Sequence, residues 1–472
     1  MPERNILVVG LGVSGLSICE ALTSQSNTGT TSVKVTATDS KPAEQLGISD
    51  DVLERLSRSG CRLILGSNDV GDISRFDEII VSPGVPLDIP LLEKAQSLGI
   101  PVVGELEWAW RYVKSPVIAV TGTNGKTTTT ELIGSIMKRW GKKTFVGGNI
   151  GVPLTRAVMN PEPWDVMVLE VSSFQLDTAP SFCPDVFIVL NITEDHLDRY
   201  PSFDAYARSK MSPILRQKPG QWAVVNGDDQ TIMRILDEYA KLGETNPDRV
   251  LFWSWNNPSA HALIASDRLI VKLPGRDEVL IPLEQKTGNH NKENMAAAAI
   301  AALVFGVPAE IVRETFRDFV PGHHRIEWVD SVDGVDFYDD SKATNVDAVV
   351  RALQCFDGKR VWLLMGGRDK GGSYDRLFDE AARRCRGLCL FGEARFRIQD
   401  AIKGWMKGKH DWEIAIVENL EEAFIAAVSR AEPGDVVLLS PACSSFDQYR
   451  SYAERGDHFK KLVQQWKKLK GK

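Results

Sequence analysis

Short apolar runs alternate with helical periodicities along nearly the whole chain. Residues 5–9 end in Ile6-Leu7-Val8-Val9 and read as a buried strand. They open onto Gly10-Leu11-Gly12-Val13-Ser14-Gly15, after which Leu16, Ile18 and Leu22 keep helical spacing. Further strands are predicted at 33–38, 61–65 and 77–81, with helical patterns between. The pattern restarts at 117–120, where Val-Ile-Ala-Val leads into a glycine-containing loop and an amphipathic segment from Glu131. Strands at 144–146, 166–170 and 186–190 follow, and an alanine-rich, tightly packing helix spans 294–302. The pattern changes near Pro321-Gly322. A hairpin of 326–332 with 335–338 is predicted to turn at Asp333-Gly334. Strands at 361–365, 388–391, 414–417 and 436–439 then alternate with helices, and 453–468 form a basic amphipathic helix expected to dock on the rest. No internal repeat or low-complexity tract interrupts this. The expectation is three consecutive α/β domains, with boundaries 1–113, 114–321 and 322–472; the first is Rossmann-like.

Composition narrows the class. The chain has 472 residues, 43% hydrophobic and 25% charged, as expected of a globular protein with several full cores. The net charge of -7, with both signs interspersed, argues against general nucleic-acid binding. Seven scattered cysteines without framework spacing suit a reducing compartment. Cys385 and Cys389, four apart on a helix-like segment, read as packing residues. The N-terminus runs straight into a strand and no apolar run nears the ~20 residues of a membrane span, so a cytoplasmic location is expected.

The candidate chemistry sits at strand ends. Thr121-Gly122-Thr123-Asn124-Gly125-Lys126-Thr127-Thr128 has the form of a phosphate loop: backbone N–H groups face an anion at a helix start, and Lys126 adds a point charge. Thr127 is placed to ligate Mg²⁺. The usual first glycine is missing, because Val120 occupies that position; the loop is a shorter variant. Gly10–Gly15 would hold a pyrophosphate, and Asp39 follows at a spacing that by itself suggests NAD. Ser82-Pro83-Gly84 could join the same rim. Glu170 closes an apolar strand, where such a fold puts a metal ligand or a water-orienting acid. Asn191-Ile192-Thr193-Glu194-Asp195-His196-Leu197-Asp198 crowds three acids and a histidine into one loop. Helix capping would account for Thr193 and Glu194 but not for His196. Gly148-Asn149-Ile150-Gly151 is another polar loop after a strand. Lys210, on a helical pattern, reads as a surface lysine. The amides within 288–294 could cap the following helix or read a base. Cys443 has no partner pattern that would make it a nucleophile.

Several of these motifs, taken together and in order, resemble the Mur ligase superfamily of ATP-dependent amide ligases. They are the loop 122–128, Glu170-Val171-Ser172-Ser173-Phe174-Gln175-Leu176, the loop 191–199, and His324-Arg325. Asp339-Asp340-Ser341-Lys342-Ala343-Thr344-Asn345 and the run 439–449 complete the set. The resemblance covers essentially the whole chain. It implies an N-terminal UDP-binding domain, a central P-loop-type ATPase domain with a mixed sheet, and a C-terminal Rossmann-like domain bringing an amino acid. The substrates implied are ATP, UDP-N-acetylmuramoyl-L-alanine and D-glutamate, and the chain is expected to act as a monomer in peptidoglycan precursor synthesis.

The resemblance also implies roles. Gly12, Val13, Ser14, Asp39, Ser40, Lys41, Ser82, Pro83 and Gly84 would hold the UDP-sugar, with Ser40-Lys41 standing where the family often has Thr-Arg. Gly122 through Thr128 would bind ATP, Lys126 at the β/γ-phosphates. Thr127 would ligate one Mg²⁺, and Glu170 and His196 a second. Lys210 matches a lysine carbamylated by CO₂, which would turn a cation into a carboxylate-like ligand. Asn149 and Ser172 would line the muramoyl side. Asn291 and Asn294 would face adenine and ribose, and His324, Arg325, Asp340 and Lys342 would complete the nucleotide site. Thr344, Lys370 and Ser445 would hold D-glutamate, near Tyr452, where the family commonly has Phe. The expected reaction phosphorylates a carboxylate and lets the amine displace phosphate, so cations must gather around crowded oxygens. The alternatives are another Mur-type ligase using a different amino acid and an NAD-dependent oxidoreductase resting on Gly10–Gly15 and Asp39.

Overall fold

The computed structural model describes residues 3–27, 32–160, 162–284, 288–320, 322–406 and 412–470. The boundary expected at Pro321 lies outside the described residues. The chain packs as two compact units. One comprises Met1–Ile192 with Asp204–Phe319, the other Thr193–Phe203 with Val320–Lys472.

The first unit carries two sheets. Strands β1 (Arg4–Val9), β2 (Val33–Asp39), β3 (Cys61–Leu65), β4 (Glu78–Val81) and β5 (Val102–Gly104) form an all-parallel sheet ordered β3-β2-β1-β4-β5. Its reversal of strand order lies beside β1, so the glycine loop after β1 opens at a topological switch point. The second sheet contains β6 (Val117–Thr121), β7 (Thr144–Gly148), β8 (Val166–Glu170), β9 (Val186–Val189), β10 (Trp222–Asn226), β11 (Val250–Ser254), β12 (Ala262–Ile264), β13 (Arg268–Val271) and β14 (Val279–Pro282). Its order is β14-β13-β12-β11-β10-β9-β6-β8-β7. The pairs from β7 to β12 are parallel and the β12-β13-β14 edge is antiparallel, giving the mixed sheet expected. Strands β6, β8 and β9 are buried on both faces, which is why they read as unbroken apolar runs.

The second unit holds β15 (Glu327–Val332), β16 (Val335–Asp339), β17 (Arg360–Gly366), β18 (Cys385–Phe391), β19 (Glu413–Ile416) and β20 (Asp435–Ala442), ordered β15-β16-β20-β17-β18-β19. The β15–β16 hairpin turns at Asp333-Gly334 as expected. Both residues have positive φ, 52° and 78°, the conformation that a two-residue hairpin turn requires. The other pairs are parallel. The C-terminal helix Tyr452–Lys470 buries Phe459, Leu462 and Val463 against this sheet.

Two local expectations are corrected. Cys385 and Cys389 lie on β18, not on a helix; the helix pattern belongs to Asp375–Arg384, which ends where the strand begins. A register shift opposite Val361/Trp362 turns the strand there, so Cys385 and Cys389 pack against different core clusters. The amide-rich run does not precede its helix. The helix Asn289–Phe305 already starts at Asn289, and its N-cap Gly288 makes no side-chain cap bond. Among the described residues no helix is long and apolar enough to cross a membrane.

Candidate active site

In the first unit, the loop after β1 closes on itself. Gly10 has φ 88°, and a Cβ at Gly15 would stand 1.9 Å from the Gly10 carbonyl oxygen, so only glycine lets the helix Val13–Asn27 start this close. Ser82 Oγ donates to the same carbonyl at 2.7 Å. The Asp39 carboxylate accepts the Leu11 N–H at 2.8 Å and the Lys41 N–H at 2.9 Å, tying the glycine loop to the end of β2. These loops border a cavity of about 600 Å³. Gly12, Val13, Ser14, Asp39, Ser40, Lys41, Ser82, Pro83, Gly84 and Asn149 all line it. Sequence reasoning missed Asn68, Gly151, Pro153 and Gln175, which also line it. Gln175 was within sight: it is the fourth residue of a capping box. Ser172 is the N-cap of the helix Ser173–Asp177, and its Oγ accepts the Gln175 N–H, so Gln175 lines the cavity and Ser172 does not.

The phosphate-type loop follows β6. Val120 is an interior strand residue, fully buried and paired in register with Glu170. A glycine there would only weaken the strand; the loop proper starts at Gly122, with φ 144°. A Cβ on Gly122 would lie 3.2 Å from the Leu190 nitrogen. Gly125, φ 85°, is the N-cap of the helix Lys126–Arg139. Asn191 pins the loop from the end of β9: its carbonyl accepts the Thr123 N–H at 2.8 Å and its Oδ1 the Asn124 N–H at 2.8 Å. Lys126 Nζ donates to the carbonyls of Gly122 and Thr123 at 2.9 and 2.8 Å. Asn294 reaches the loop from the alanine-rich helix; a Cβ on Gly125 would meet its Oδ1 at 2.4 Å. Asn291 Oδ1 accepts from Asn294 Nδ2 at 3.4 Å, so these amides pair with each other at the loop and cap nothing.

Glu170 links loop and cavity. Its Oε2 accepts the Thr127 hydroxyl at 2.6 Å and its Oε1 accepts Asn149 Nδ2 at 2.8 Å, while the residue itself is buried. The Thr127 hydroxyl and the Glu170 carboxylate are both oxygen donors, the set that suits Mg²⁺. Lys210 is not a surface residue. It is 2% exposed, with Nζ donating to the Gly122 carbonyl at 2.9 Å and lying 4.8 Å from the ring centre of Tyr206. Tyr206 and Ala207, one turn before it, are buried too, so Lys210 lies on the inward face of its helix.

His196 belongs to the second unit. The loop around it is not a helix start, since the next helix begins at Phe203, so capping does not explain Thr193 and Glu194. His196 holds φ 55°, a strained backbone for a non-glycine residue. Its N–H is donated to Asp195 Oδ1 at 3.0 Å. Asp195 is buried and also accepts from Asn345 Nδ2 at 3.2 Å and Lys370 Nζ at 3.3 Å; Lys370 reaches Thr344 Oγ1 at 3.3 Å.

The end of β16 gathers the other expected residues. His324 Nδ1 lies 2.6 Å from Asp339 Oδ2. Asp340 is buried; burial pushes its carboxyl up to about 7, against the bonds from Ser440 Oγ at 2.7 Å and the Ile326 N–H at 3.2 Å. Lys342 Nζ donates to the Tyr452 hydroxyl at 3.0 Å and sits 4.5 Å from its ring centre. The half-buried Arg325 lies between His324 and Ile326, both of which have positive φ. Ser445 is buried at the turn after β20. His324, Glu327 and Asp339 also cluster as metal ligands would, but Lys460 Nζ, 2.6 Å from Glu327 and 3.8 Å from Asp339, takes the cation's place there. Cys443 is buried and its thiol is pushed up to about 12 by burial, which rules against a nucleophile.

Three family models match in chain order: the Mur ligase MurD-like N-terminal domain over residues 4–104, the Mur ligase middle domain over 120–302, and the Mur ligase glutamate ligase domain over 324–443. The UDP-N-acetylmuramoylalanine--D-glutamate ligase of Desulfosudis oleivorans is 42% identical over 470 residues, covering 99% of this chain and 97% of its own. That of Koribacter versatilis is 39% identical, covering 98% and 97%. Among solved structures, a pseudomurein peptide ligase type C from Methanothermus fervidus superposes with a TM-score of 0.60 at 20% identity, covering 98% of this chain and 100% of that one. The MurF ligase of Thermotoga maritima, solved in complex with ADP, gives 0.57 at 18%, covering 91% and 95%. These two share the fold. With relatives of such identity running its full length, the chain belongs to the Mur ligase family.

Proposed function

We propose that this protein is an ATP-dependent ligase that joins D-glutamate to UDP-N-acetylmuramoyl-L-alanine, releasing ADP and phosphate. One observation carries the reading: Glu170 bonds Thr127 of the phosphate loop through one oxygen and Asn149 of the cavity wall through the other. A loop that holds a triphosphate is thereby joined to a cavity fit for a nucleotide-sugar. A simple ATPase has no use for that cavity. The oxidoreductase alternative rests on Asp39, whose carboxylate already accepts two backbone N–H groups of its own loops.

In this reading Gly12, Val13, Ser14, Asp39 through Lys41 and Ser82 through Gly84 hold the UDP-sugar, and its carboxylate extends past Asn149. Lys126 and the loop N–H groups hold ATP. Thr127 would hold one Mg²⁺, and Glu170, His196 and a carbamylated Lys210 are the further metal ligands of this reading; the metal would supply positive charge to the crowded phosphate and carboxylate oxygens. Asn291 and Asn294 are nucleotide contacts of the first unit in this reading, and Arg325, Asp340 and Lys342 those of the second. Lys370, Thr344 and Ser445 orient D-glutamate. The γ-phosphoryl group passes to the substrate carboxylate, the amine attacks the acyl phosphate, and phosphate leaves. Asn149 aims the carboxylate, and the lysines stabilise the charge that develops. The division into 1–113, 114–321 and 322–472 belongs to the same reading, supported by one sheet per part.

The test is a requirement assay. Phosphate release is expected only when ATP, Mg²⁺, UDP-N-acetylmuramoyl-L-alanine and D-glutamate are all present. Release without D-glutamate, or with L-lysine in its place, would overturn the assignment.

A further inference from the structure

Arg455, near the start of the C-terminal helix, is fully buried. A buried guanidinium is costly unless its donors are met. Here they are met by neutral oxygens alone. Nε donates to Ser341 Oγ at 3.0 Å and Nη2 to the Ser341 carbonyl at 2.8 Å. Nη1 and Nη2 each donate to the Cys443 carbonyl at 3.2 Å, and Nη1 reaches the Gly366 carbonyl at 3.4 Å. A residue kept only to fill this space need not be charged, since apolar groups of similar volume often do as well or better.

The three acceptors share a position. Ser341, Gly366 and Cys443 stand at the C-terminal ends of β16, β17 and β20, which are adjacent in the order β16-β20-β17. The backbone leaves two of these ends in unusual conformations, with φ of 144° at Gly366 and 59° at Ala442. Lys342 directly follows Ser341, and Lys370 and Ser445 lie in the loops that leave Gly366 and Cys443. The helix cannot shift to suit a shorter side chain, because a Cβ on the next residue, Gly456, would stand 2.2 Å from His324 Nδ1.

We propose that Arg455 is a positioning residue: its guanidinium fixes the spacing of three strand ends and so couples the nucleotide subsite at Lys342 to the amino-acid subsite at Lys370 and Ser445. This rests on the ligase reading above. Lysine cannot replace it, because a point charge does not copy the planar fork that meets carbonyls on three strands.

The test uses the full-length protein with R455K and R455M, varying ATP, D-glutamate and UDP-N-acetylmuramoyl-L-alanine in turn, with thermal unfolding alongside. Misplacement by about 1 Å can cost on the order of 100-fold, so the KM values for ATP and D-glutamate should rise together by about 10-fold or more. The KM for the UDP-substrate should not move, and in a third variant, R455A, added guanidinium ion should restore part of the loss. Unchanged KM values in a folded variant, or a fall in Tm alone, overturn the proposal. If neither variant folds, S341A removes the Nε acceptor and must show the same selective pattern; unchanged KM values there overturn it equally. A wild type that fails the requirement assay would sink the ligase reading instead. ATP titration of wild type and R455K would then decide for Arg455, an equal Kd overturning it.

Discussion

Lys126 and Lys210 donate to the same oxygen, the Gly122 carbonyl, each from 2.9 Å. Two ammonium groups this close repel each other, and more so where one is buried. Addition of CO₂ to Lys210 would replace one of these charges by a negative one and leave Lys126 alone on the carbonyl. K210A is therefore expected to lose on the order of 100-fold or more in phosphate release, as for removal of a preorganised charge. Bicarbonate or a short carboxylate should restore part of it. K210R separates the two roles: it keeps the cation and cannot be carbamylated. It should be as inactive as K210A, and an active K210R would refute the modification.

Glu170 has a different signature. In E170Q the amide can still meet Thr127 and Asn149, whose contacts with the Glu170 carboxylate are 2.6 and 2.8 Å. The fold should hold while the negative charge is lost. The expected outcome is a fall in kcat on the order of 100-fold, with Tm little changed. Steady-state kinetics over a range of Mg²⁺ concentrations checks it: the apparent Mg²⁺ requirement should rise. A variant with wild-type Mg²⁺ dependence would remove Glu170 from the metal site.

Two of the three glycines of the first loop, Gly12 and Gly15, should respond oppositely to alanine. At Gly15 a Cβ would lie 1.9 Å from the Gly10 carbonyl oxygen, so G15A must displace the loop, at a cost of about 1–3 kcal/mol as for other overpacked sites. At Gly12 a Cβ meets nothing within 4 Å, yet the residue lines the cavity. G12A should keep its Tm and raise the KM for the UDP-substrate alone. Equal KM values for G12A and wild type would place the pyrophosphate elsewhere.

Asp340 predicts a pH dependence. Burial holds its carboxyl near 7 in the fold, opposed by Ser440, the Ile326 N–H and Arg325 and reinforced by Asp339. Unfolded, it titrates near 3.9 as an ordinary Asp does. Between these values the folded chain holds a proton that the unfolded chain has released. Raising the pH through this window therefore withdraws stability, and the contribution is complete below it. Unfolding followed from pH 4 to 8 should show this slope in wild type and a flatter one in D340N. Glu327 works in the opposite sense. Burial would raise it, but the Lys460 ammonium, the His324 N–H and His323 outweigh that and hold it at about 2, so its contribution is present above the ordinary range and lost as pH falls toward 2.

What the sequence disclosed, and what it hid, follows from range. The parallel strands buried on both faces were legible because burial writes an unbroken apolar run, as at Val117–Thr121 and Val166–Glu170. The edge strands Ala262–Ile264, Arg268–Val271 and Val279–Pro282 were not. They are three or four residues long and are not buried along their whole length, so although their antiparallel partners are close in sequence they write no unbroken apolar run. The same holds for side chains. Lys126 and Thr127 announce themselves in one contiguous loop. Lys210 reaches the Gly122 carbonyl across 88 positions and read as a surface lysine; Arg455 reaches Ser341 across 114 and was one charge among many on a basic helix. Gln175 was hidden differently: its capping role was visible, its place on the cavity wall was not.

Tyr452 tests how Lys342 is held. Tyr452 acts on the ammonium in two ways: its hydroxyl accepts from Nζ at 3.0 Å, and its ring centre lies 4.5 Å away. Phenylalanine would keep the second and lose the first. A hydrogen bond from a charged donor contributes about 1.5–3 kcal/mol at most, less where water can replace the acceptor. Lys342 and Tyr452 are only half-buried, so water can. A cation over an aromatic face contributes about 0.5–1 kcal/mol at an exposed site and more when desolvated. Y452F should therefore change the KM for ATP only a few-fold, whereas Y452A, which loses both, should raise it by about tenfold, the equivalent of about 1.4 kcal/mol. The D-glutamate KM should follow in Y452A but not in Y452F, since the alanine also removes packing at the start of the C-terminal helix. A Y452F as impaired as Y452A would show that the hydroxyl, not the ring, sets Lys342.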